Sequence, residues 1–426
     1  MQKSDWQRAL NDEKAASLLK RLYGSEAEAG RRRIEALLEQ VPEDKELYLF
    51  STPGRTELAG NHTDHNHGQV LAASIHLDAL ALVFPRNDRR IVLRSAGFEG
   101  EFSVDLGRLE ANPAEEGDFR SLIRGVAAGL SEAGYVIGGF EGIIESRVLP
   151  GSGLSSSAAV EVLLGTIHSH LYNDGSIAPL KLAQIGQYAE NRFFGKPCGL
   201  MDQTACAVGG IIRIDFKNPA DPEVERMEYS FEEKGYRLAV VDTGGNHADL
   251  TPDYAACPQE MFAVSRELGK ENARQIDPEA LIDAIPRLRR ECGDRAILRV
   301  FHFLHENERV GRMANDLKQD DLPSYLAHMR DSGDSSWKLL QNCFTVQNPA
   351  EQGITLGITA AESSVTDDAA FRVHGGGFAG TIQALVSDAD AGAFTKRMEA
   401  VFFPGCVTFL RLRQEGTIRI SLEQAD

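Results

Sequence analysis

A chain of 426 residues is longer than the ~250 to 300 at which a single hydrophobic core stops growing, so two lobes with a cleft between them are expected. A content of 42% hydrophobic and 25% charged residues excludes disordered and fibrous classes. The formal charge of −18, from 45 Lys and Arg against 63 Asp and Glu, repels phosphate backbones and anionic lipid, which argues against nucleic acid or a membrane as partner.

The first forty residues read as helices packed as an extension, because Trp6, Ala9 and Leu10, then Leu18, Leu19 and Leu22, then Ile34, Leu37, Leu38 and Val41 recur at helical spacing. The opening MQKSDWQRAL lacks the continuous apolar run of a signal peptide, and no stretch approaches the roughly 18 apolar residues of a membrane span. A cytoplasmic protein is expected. From Leu47 an apolar strand leads into PGR, and IVLRS (91–95) and EFSVD (101–105) flank the turn-like AGFEG as a hairpin. A helix starts near Ser156, since Val160, Leu163, Leu164, Ile167 and Leu171 share one face. IIRIDF (211–216) alternates as a strand, another strand begins at Arg237, residues 258–345 are largely helical, and GTIRISL (416–422) ends the chain as a strand. The expected fold is mixed α/β in two domains, 1–215 and 216–426. Cys198, Cys206, Cys257, Cys292, Cys343 and Cys406 contain no CxxC pair and read as reduced thiols rather than a zinc ribbon or disulfide framework.

Four segments carry chemistry. VLPGSGLSSSAAVEVLLG (148–165) sets small residues and a serine run before an apolar helix. The backbone of Gly151, Ser152, Gly153, Leu154, Ser155, Ser156 and Ser157 then brings N–H groups to a helix N-terminus, where free donors and the positive dipole end favour phosphate. The GK[ST] ending of a Walker A loop is missing, and a plain Gly/Ser connector has the same composition. VHGGGFAGTIQALV (373–386) passes from glycines into an alternating strand, which reads either as a close approach of backbone to ligand or as a tight hairpin. PGRTELAGNHTDH (53–65) crowds Arg55, Glu57, Asn61, His62, Asp64 and His65 into thirteen residues, a density that suits a sugar or cation; with His67 these match no recognised metal-ligand signature. AENRFFGKPCGLMDQTACAVGG (189–210) sets Glu190 and Asp202 among small and apolar residues, where either acid alone reads as an ion-pair partner or a helix cap.

Taken together and in this order, the four segments resemble the GHMP kinases, and among them the galactokinases. GRTELAGNHTDHNHG is similar to the family signature GRxNLIGEHxDYNGG, GSGLSSSAA to its phosphate loop, CGLMDQ to its catalytic segment and GGGFAG to its third glycine motif. The resemblance implies a two-lobed α/β fold with ATP and a sugar between the lobes. It implies Asp202 as the catalytic aspartate and Arg55 beside it, and Mg²⁺ held by Glu190 with Ser156 or Ser157. It puts the phosphates on residues 151–157, and His62, Asp64, Gly199 and Tyr254 against the sugar. The implied reaction is phosphorylation of the anomeric hydroxyl of D-galactose to galactose 1-phosphate.

Several positions depart from the pattern. Asn61 replaces a glutamate that contacts the distal end of the sugar in the family, and a neutral amide there accommodates a hydroxyl or a carboxylate, so D-galacturonate is a rival substrate. His65 replaces the signature tyrosine, Glu57 an asparagine and Ala379 a glycine, and Pro150 abuts Gly151 instead of standing one residue earlier. A sugar and nucleotide sensor without turnover is the alternative of another class, against which Arg55, Glu190 and Asp202 are all retained.

Overall fold

Residues 1–96, 100–148, 153–245 and 250–422 are described in a computed structural model. Three helices open the chain, α1 (Lys3–Ala9), α2 (Glu13–Tyr23) and α3 (Ala27–Glu39). Their apolar stripes, among them Leu19, Leu22, Ile34 and Leu38, pack on Leu49, Leu80, Leu82 and Ile143 of the sheet that follows. Each such side chain contributes about 1.5 to 3 kcal/mol by leaving water, which fixes the extension to one sheet face.

That sheet contains β1 (Tyr48–Ala59), β2 (Gln69–Pro85), β3 (Arg90–Ser95), β4 (Phe102–Asp105), β5 (Phe140–Ser146), β6 (Ile211–Asp215) and β7 (Glu223–Met227). β2 is its spine. It pairs antiparallel with β1 along its length, with β6 through Gln69–Ala73 and with β5 through Ala79–Pro85. Its side chains alternate between two cores: Leu80 and Leu82 face the opening helices, while Ala79, Ala81 and Val83 face the main core on the other side. Burial on both faces explains why β2 reads as a nearly continuous apolar run. β3 and β4 pair antiparallel as the expected hairpin, and Gly97, Phe98 and Glu99 of its turn lie outside the described residues.

The main-core face is covered by α4 (Phe119–Glu132), α5 (Ser156–Tyr172) and α7 (Met201–Val208), and α6 (Pro179–Ala189) packs on these three helices. α5 begins at the serine its apolar spacing indicates. A second sheet holds β8 (Tyr236–Asp242), β9 (Ala370–His374), β10 (Thr381–Ser387) and β11 (Val407–Leu410) in the order β11-β8-β10-β9. Between β8 and β9 run α8 (Thr251–Glu267), α9 (Pro278–Glu291), α10 (Asp294–Lys318), α11 (Leu322–Ser335) and α12 (Gly353–Glu362), and α13 (Ala391–Val401) follows β10. The last strand, β12 (Ile418–Ile420), returns to the first sheet and pairs with β1. The third glycine motif is the connection of the antiparallel β9–β10 hairpin.

A buried ionic knot ties the extension and the chain end to β2. Asp78 receives Arg33 Nη1 at 2.7 Å, Arg413 Nη1 at 3.4 Å and the Tyr23 hydroxyl at 2.8 Å. Burial raises the Asp78 carboxyl, but the two guanidinium charges outweigh it and hold the group below the usual carboxylate range. All six cysteines are unpaired, and no helix among the described residues is long and apolar enough to cross a membrane.

Candidate active site

β1 shifts register between Pro53 and Arg55, an irregularity that re-aims the side chain leaving the strand. Arg55 thereby reaches the first turn of α7, where its Nε and Nη2 each donate to one oxygen of Asp202 at 2.7 Å. The Arg55 backbone N–H donates to Leu154 O at 3.1 Å, its Nη1 donates to Gly153 O, and Ser155 Oγ donates to Asp202 Oδ2. Burial pushes Asp202 up, yet the Arg55 charge and the hydrogen bonds from Arg55 and Ser155 hold it below an ordinary aspartate. The result is an ionised carboxylate, 28% exposed, at a helix N-terminus that favours negative charge.

The serine-rich loop meets this pair from the other side. Gly151 and Ser152, with Pro150, lie outside the described residues. Gly153 has φ +72°, and a Cβ there would sit 2.9 Å from His374 Nδ1, so conformation and space both require glycine. Leu154 is 2% exposed and packs in the main core, leaving only its backbone to the loop. Ser155 takes the left-handed conformation, φ 60°, that turns the chain into α5.

Of the two serines that follow, Ser157 is the one whose Oγ donates to Glu190 Oε1, at 2.9 Å. Lys196 Nζ donates to the same oxygen at 3.2 Å. Glu190 opens a π-helical turn, Glu190–Phe194, that continues α6 and ends at Gly195. Such turns recur at functional sites because they displace a side chain from regular helical phase. Among the described residues no three of His, Cys, Asp and Glu gather as a protein-only metal cage. One hydroxyl and one carboxylate are instead an oxygen donor set that suits Mg²⁺, which keeps waters and takes its remaining ligands from substrate phosphates. The ammonium already on Glu190 Oε1 marks a place where positive charge is favoured.

Beside the N-terminus of α5 lies a cavity of about 550 Å³ lined by Phe102, Phe119, Leu122, Val148, Ser156 and Phe194, among others. It is mostly apolar and borders the loop, which suits an aromatic base with its phosphates directed to the helix N-terminus.

The signature residues converge on the third glycine motif. His62, at φ 57°, sends Nε2 to Gly376 O at 2.8 Å. A carbonyl only accepts, so Nε2 carries the proton and Nδ1 is the acceptor. Burial, with His65 and His302 nearby, lowers the His62 pKa to about 4, so the ring is neutral at pH 7. Tyr254, on α8, donates its hydroxyl to Gly377 O at 3.1 Å, and a Cβ on Gly376 would come within 2.4 Å of the Tyr254 ring. The glycine motif is thus a hairpin and a close approach at once, the approach being to Tyr254. Gly199 faces Asp64, whose Oδ2 would lie 1.9 Å from a Cβ placed there.

Asn61 is 1% exposed and its amide is spent within the protein. Nδ2 donates to Gly375 O at 2.6 Å and to Glu57 Oε1 at 3.1 Å, while Oδ1 accepts from Asn342 Nδ2 at 2.7 Å. Glu57 pairs in turn with the buried Arg372, at 2.6 Å from Nη2.

The structure therefore brings Arg55, Asp202, Gly153, Ser155, Ser157 and Glu190 together, with His62, Asp64, Gly199 and Tyr254 along the adjoining edge. Sequence reasoning missed the Ser155 hydroxyl on Asp202, the aromatic wall of the cavity, and the Glu57–Arg372 and Asn342 contacts behind Asn61. For the first the signal was present in the serine run; for the others the partners are scattered over distant segments.

A carboxylate gripped by arginine, next to a glycine- and serine-rich helix start and a hydroxyl–carboxylate pair, defines a GHMP kinase, and comparison with known proteins agrees. Residues 121–210 match the model of the GHMP kinases N terminal domain, and residues 39–85 that of the galactokinase galactose-binding signature. A galactokinase of Streptomyces coelicolor is 31% identical over 367 residues, 84% of this chain and 91% of that protein. The crystal structure of Lactococcus lactis galactokinase complexed with galactose superposes with a TM-score of 0.78 at 25% identity, over 92% of this chain and 100% of that one. The mevalonate kinase of Methanococcus jannaschii shares the fold, with a TM-score of 0.61 at 15% identity over 87% of this chain and 99% of that one. The chain belongs to the galactokinase family.

Proposed function

We propose that this protein transfers the γ-phosphoryl group of ATP to the anomeric hydroxyl of D-galactose, in the cytoplasm, giving galactose 1-phosphate. The observation that carries the reading is the two-point Arg55–Asp202 pair set between the phosphate loop and the signature residues. Phosphoryl transfer asks for positioning and charge neutralisation more than covalent chemistry. Asp202 orients the attacking hydroxyl and takes its proton. Held below the usual carboxylate range, it is a weak base, so the proton moves late, as the hydroxyl oxygen bonds to phosphorus. Arg55 keeps Asp202 ionised and stabilises charge developing on the transferred group. The nucleoside occupies the apolar cavity and the phosphates lie against the backbone N–H groups at the start of α5. Ser157 and Glu190 would hold Mg²⁺, which when bound neutralises the β and γ oxygens. His62 Nδ1 and the Asp64 carboxylate accept from ring hydroxyls of the sugar.

D-galacturonate loses its argument in this geometry, because the Asn61 amide that would greet a carboxylate is already committed to Gly375, Glu57 and Asn342. The test is ADP release by the purified protein with Mg-ATP and either D-galactose or D-galacturonate. Turnover on galactose is expected. Turnover on galacturonate alone, or binding of ATP and sugar with no ADP formed, would overturn the reading.

Gly199→Ala probes the sugar edge. The added methyl displaces the Asp64 carboxylate, and losing a hydrogen bond to a charged group costs about 1.5 to 3 kcal/mol. KM for galactose is expected to rise roughly 10- to 100-fold with KM for ATP unchanged, measured by initial rates with each substrate varied in turn.

A further inference from the structure

Behind the Ser157–Glu190 pair lies an acid that the proposed reaction does not use. Glu161, on α5, is fully buried at 0% exposure. Gln203, the residue after Asp202, sends Nε2 to Glu161 Oε2 and to Glu190 Oε2, each at 2.9 Å. One amide nitrogen therefore spends its two hydrogens on two carboxyl groups, one in the site and one behind it. Gly186 of α6 makes the room: a Cβ there would lie 3.1 Å from Gln203 Cγ and 3.2 Å from Glu161 Cβ.

The two remaining oxygens, Glu161 Oε1 and Gln203 Oε1, are buried and have no hydrogen-bond partner. Buried acceptors are rarely left bare, and two belonging to groups already bonded to each other point to a missing hydrogen. A proton on Glu161 Oε1 supplies it. With that proton in place Glu161 Oε1 becomes a donor, while the Gln203 N–H still donates to Glu161 Oε2.

We propose that Glu161 is a positioning residue that acts through the Gln203 amide to fix the Glu190 carboxylate, leaving Glu190 Oε1 turned to Ser157 and the metal. Gln203 cannot rotate without breaking both of its links, so the orientation of Glu190 is set before nucleotide arrives. The inference rests on the reading of Ser157 and Glu190 as the Mg²⁺ ligands. It separates two expectations for Glu161: a group needed for its negative charge fails when made an amide, whereas a neutral hydrogen-bonding partner is replaced by one.

The experiment measures Mn²⁺ binding by electron paramagnetic resonance with a non-hydrolysable ATP analogue, alongside the Mg²⁺ dependence of turnover and thermal unfolding. Glu161→Met, which fills the space without hydrogen bonds, is expected to weaken Mn²⁺ affinity roughly 10- to 100-fold, as loss of a group supporting a metal ligand does. Gln203→Met should give the same loss with Glu161 in place, which covers the case in which Glu161→Met does not fold. Glu161→Gln should restore the affinity, since an amide offers Gln203 one donor and one acceptor. Unchanged affinity in both methionine variants, or a Glu161→Gln as weak as Glu161→Met, overturns the proposal. Wild-type protein that binds no Mn²⁺ beside the nucleotide overturns the Glu190 site itself, and this inference with it.

Discussion

Asp202→Asn is expected to lower kcat by about 10²- to 10⁴-fold, the range in which a positioned proton acceptor contributes, with KM for ATP and for the sugar little changed. Asparagine matches the shape of aspartate, so the hydroxyl still finds a partner, but the amide carries no charge and takes no proton. It also meets the Arg55 fork with one oxygen where the carboxylate offers two. The buried guanidinium is left half-paired, so some loss of thermal stability accompanies the loss of rate. Single-turnover formation of ADP separates chemistry from product release, and residual turnover near the wild-type rate would remove Asp202 from the reaction. The pH profile adds a second reading. Because Arg55 and Ser155 hold Asp202 below its ordinary value of 3.8, wild-type kcat/KM should show no acid limb from this group until the pH falls beneath that value.

How far the site could be read from sequence depends on whether its parts are local. Arg55 sits in a short segment denser in polar residues than a structural loop needs, whereas Glu190 and Asp202 lie among small and apolar residues and became readable only through the resemblance of the four segments together. The phase of the loop was not readable. Ser155, Ser156 and Ser157 are chemically identical in sequence, yet one backbone angle in the left-handed region sends Ser155 to Asp202 and leaves Ser157 on Glu190. Asn61 shows the opposite error. As a departure from a familiar pattern it reads as a specificity switch, but its surroundings, Asn342 and Gly375, come from segments about 280 to 315 residues away and take up its amide. The cavity beside α5 draws Phe102, Phe119 and Phe194 from three elements with no shared period, so no pattern announced it. The fold divides in the same way. Apolar spacing located α5 and the opening helices, because burial of one face is written into each helix. The alternation of Ile418 and Ile420 marked a strand without naming β1, at the other end of the chain, as its partner.

Arg55→Met tests the other half of the pair and should cost roughly 10²- to 10³-fold in kcat, the scale for removing one preorganised donor to developing charge. Its pH signature distinguishes it from Asp202→Asn. Without the guanidinium, Asp202 keeps the burial that raises it and loses the charge and the two hydrogen bonds that lower it most, so its pKa moves up. The reaction uses the ionised carboxylate, and a raised pKa means that form is lost as pH falls through the new value. Activity of Arg55→Met should therefore climb with rising pH where the wild type is flat. Arg55→Lys should restore the flat profile, because a single positive charge is enough to keep the carboxylate ionised. It should recover only part of kcat, because an ammonium cannot grip both oxygens of Asp202 and the Gly153 carbonyl in one planar fork. A kcat/KM profile for Arg55→Met that superimposes on the wild type would mean that Ser155 and the neighbouring Lys196 charge suffice to hold Asp202 ionised, leaving Arg55 a role in the transition state alone.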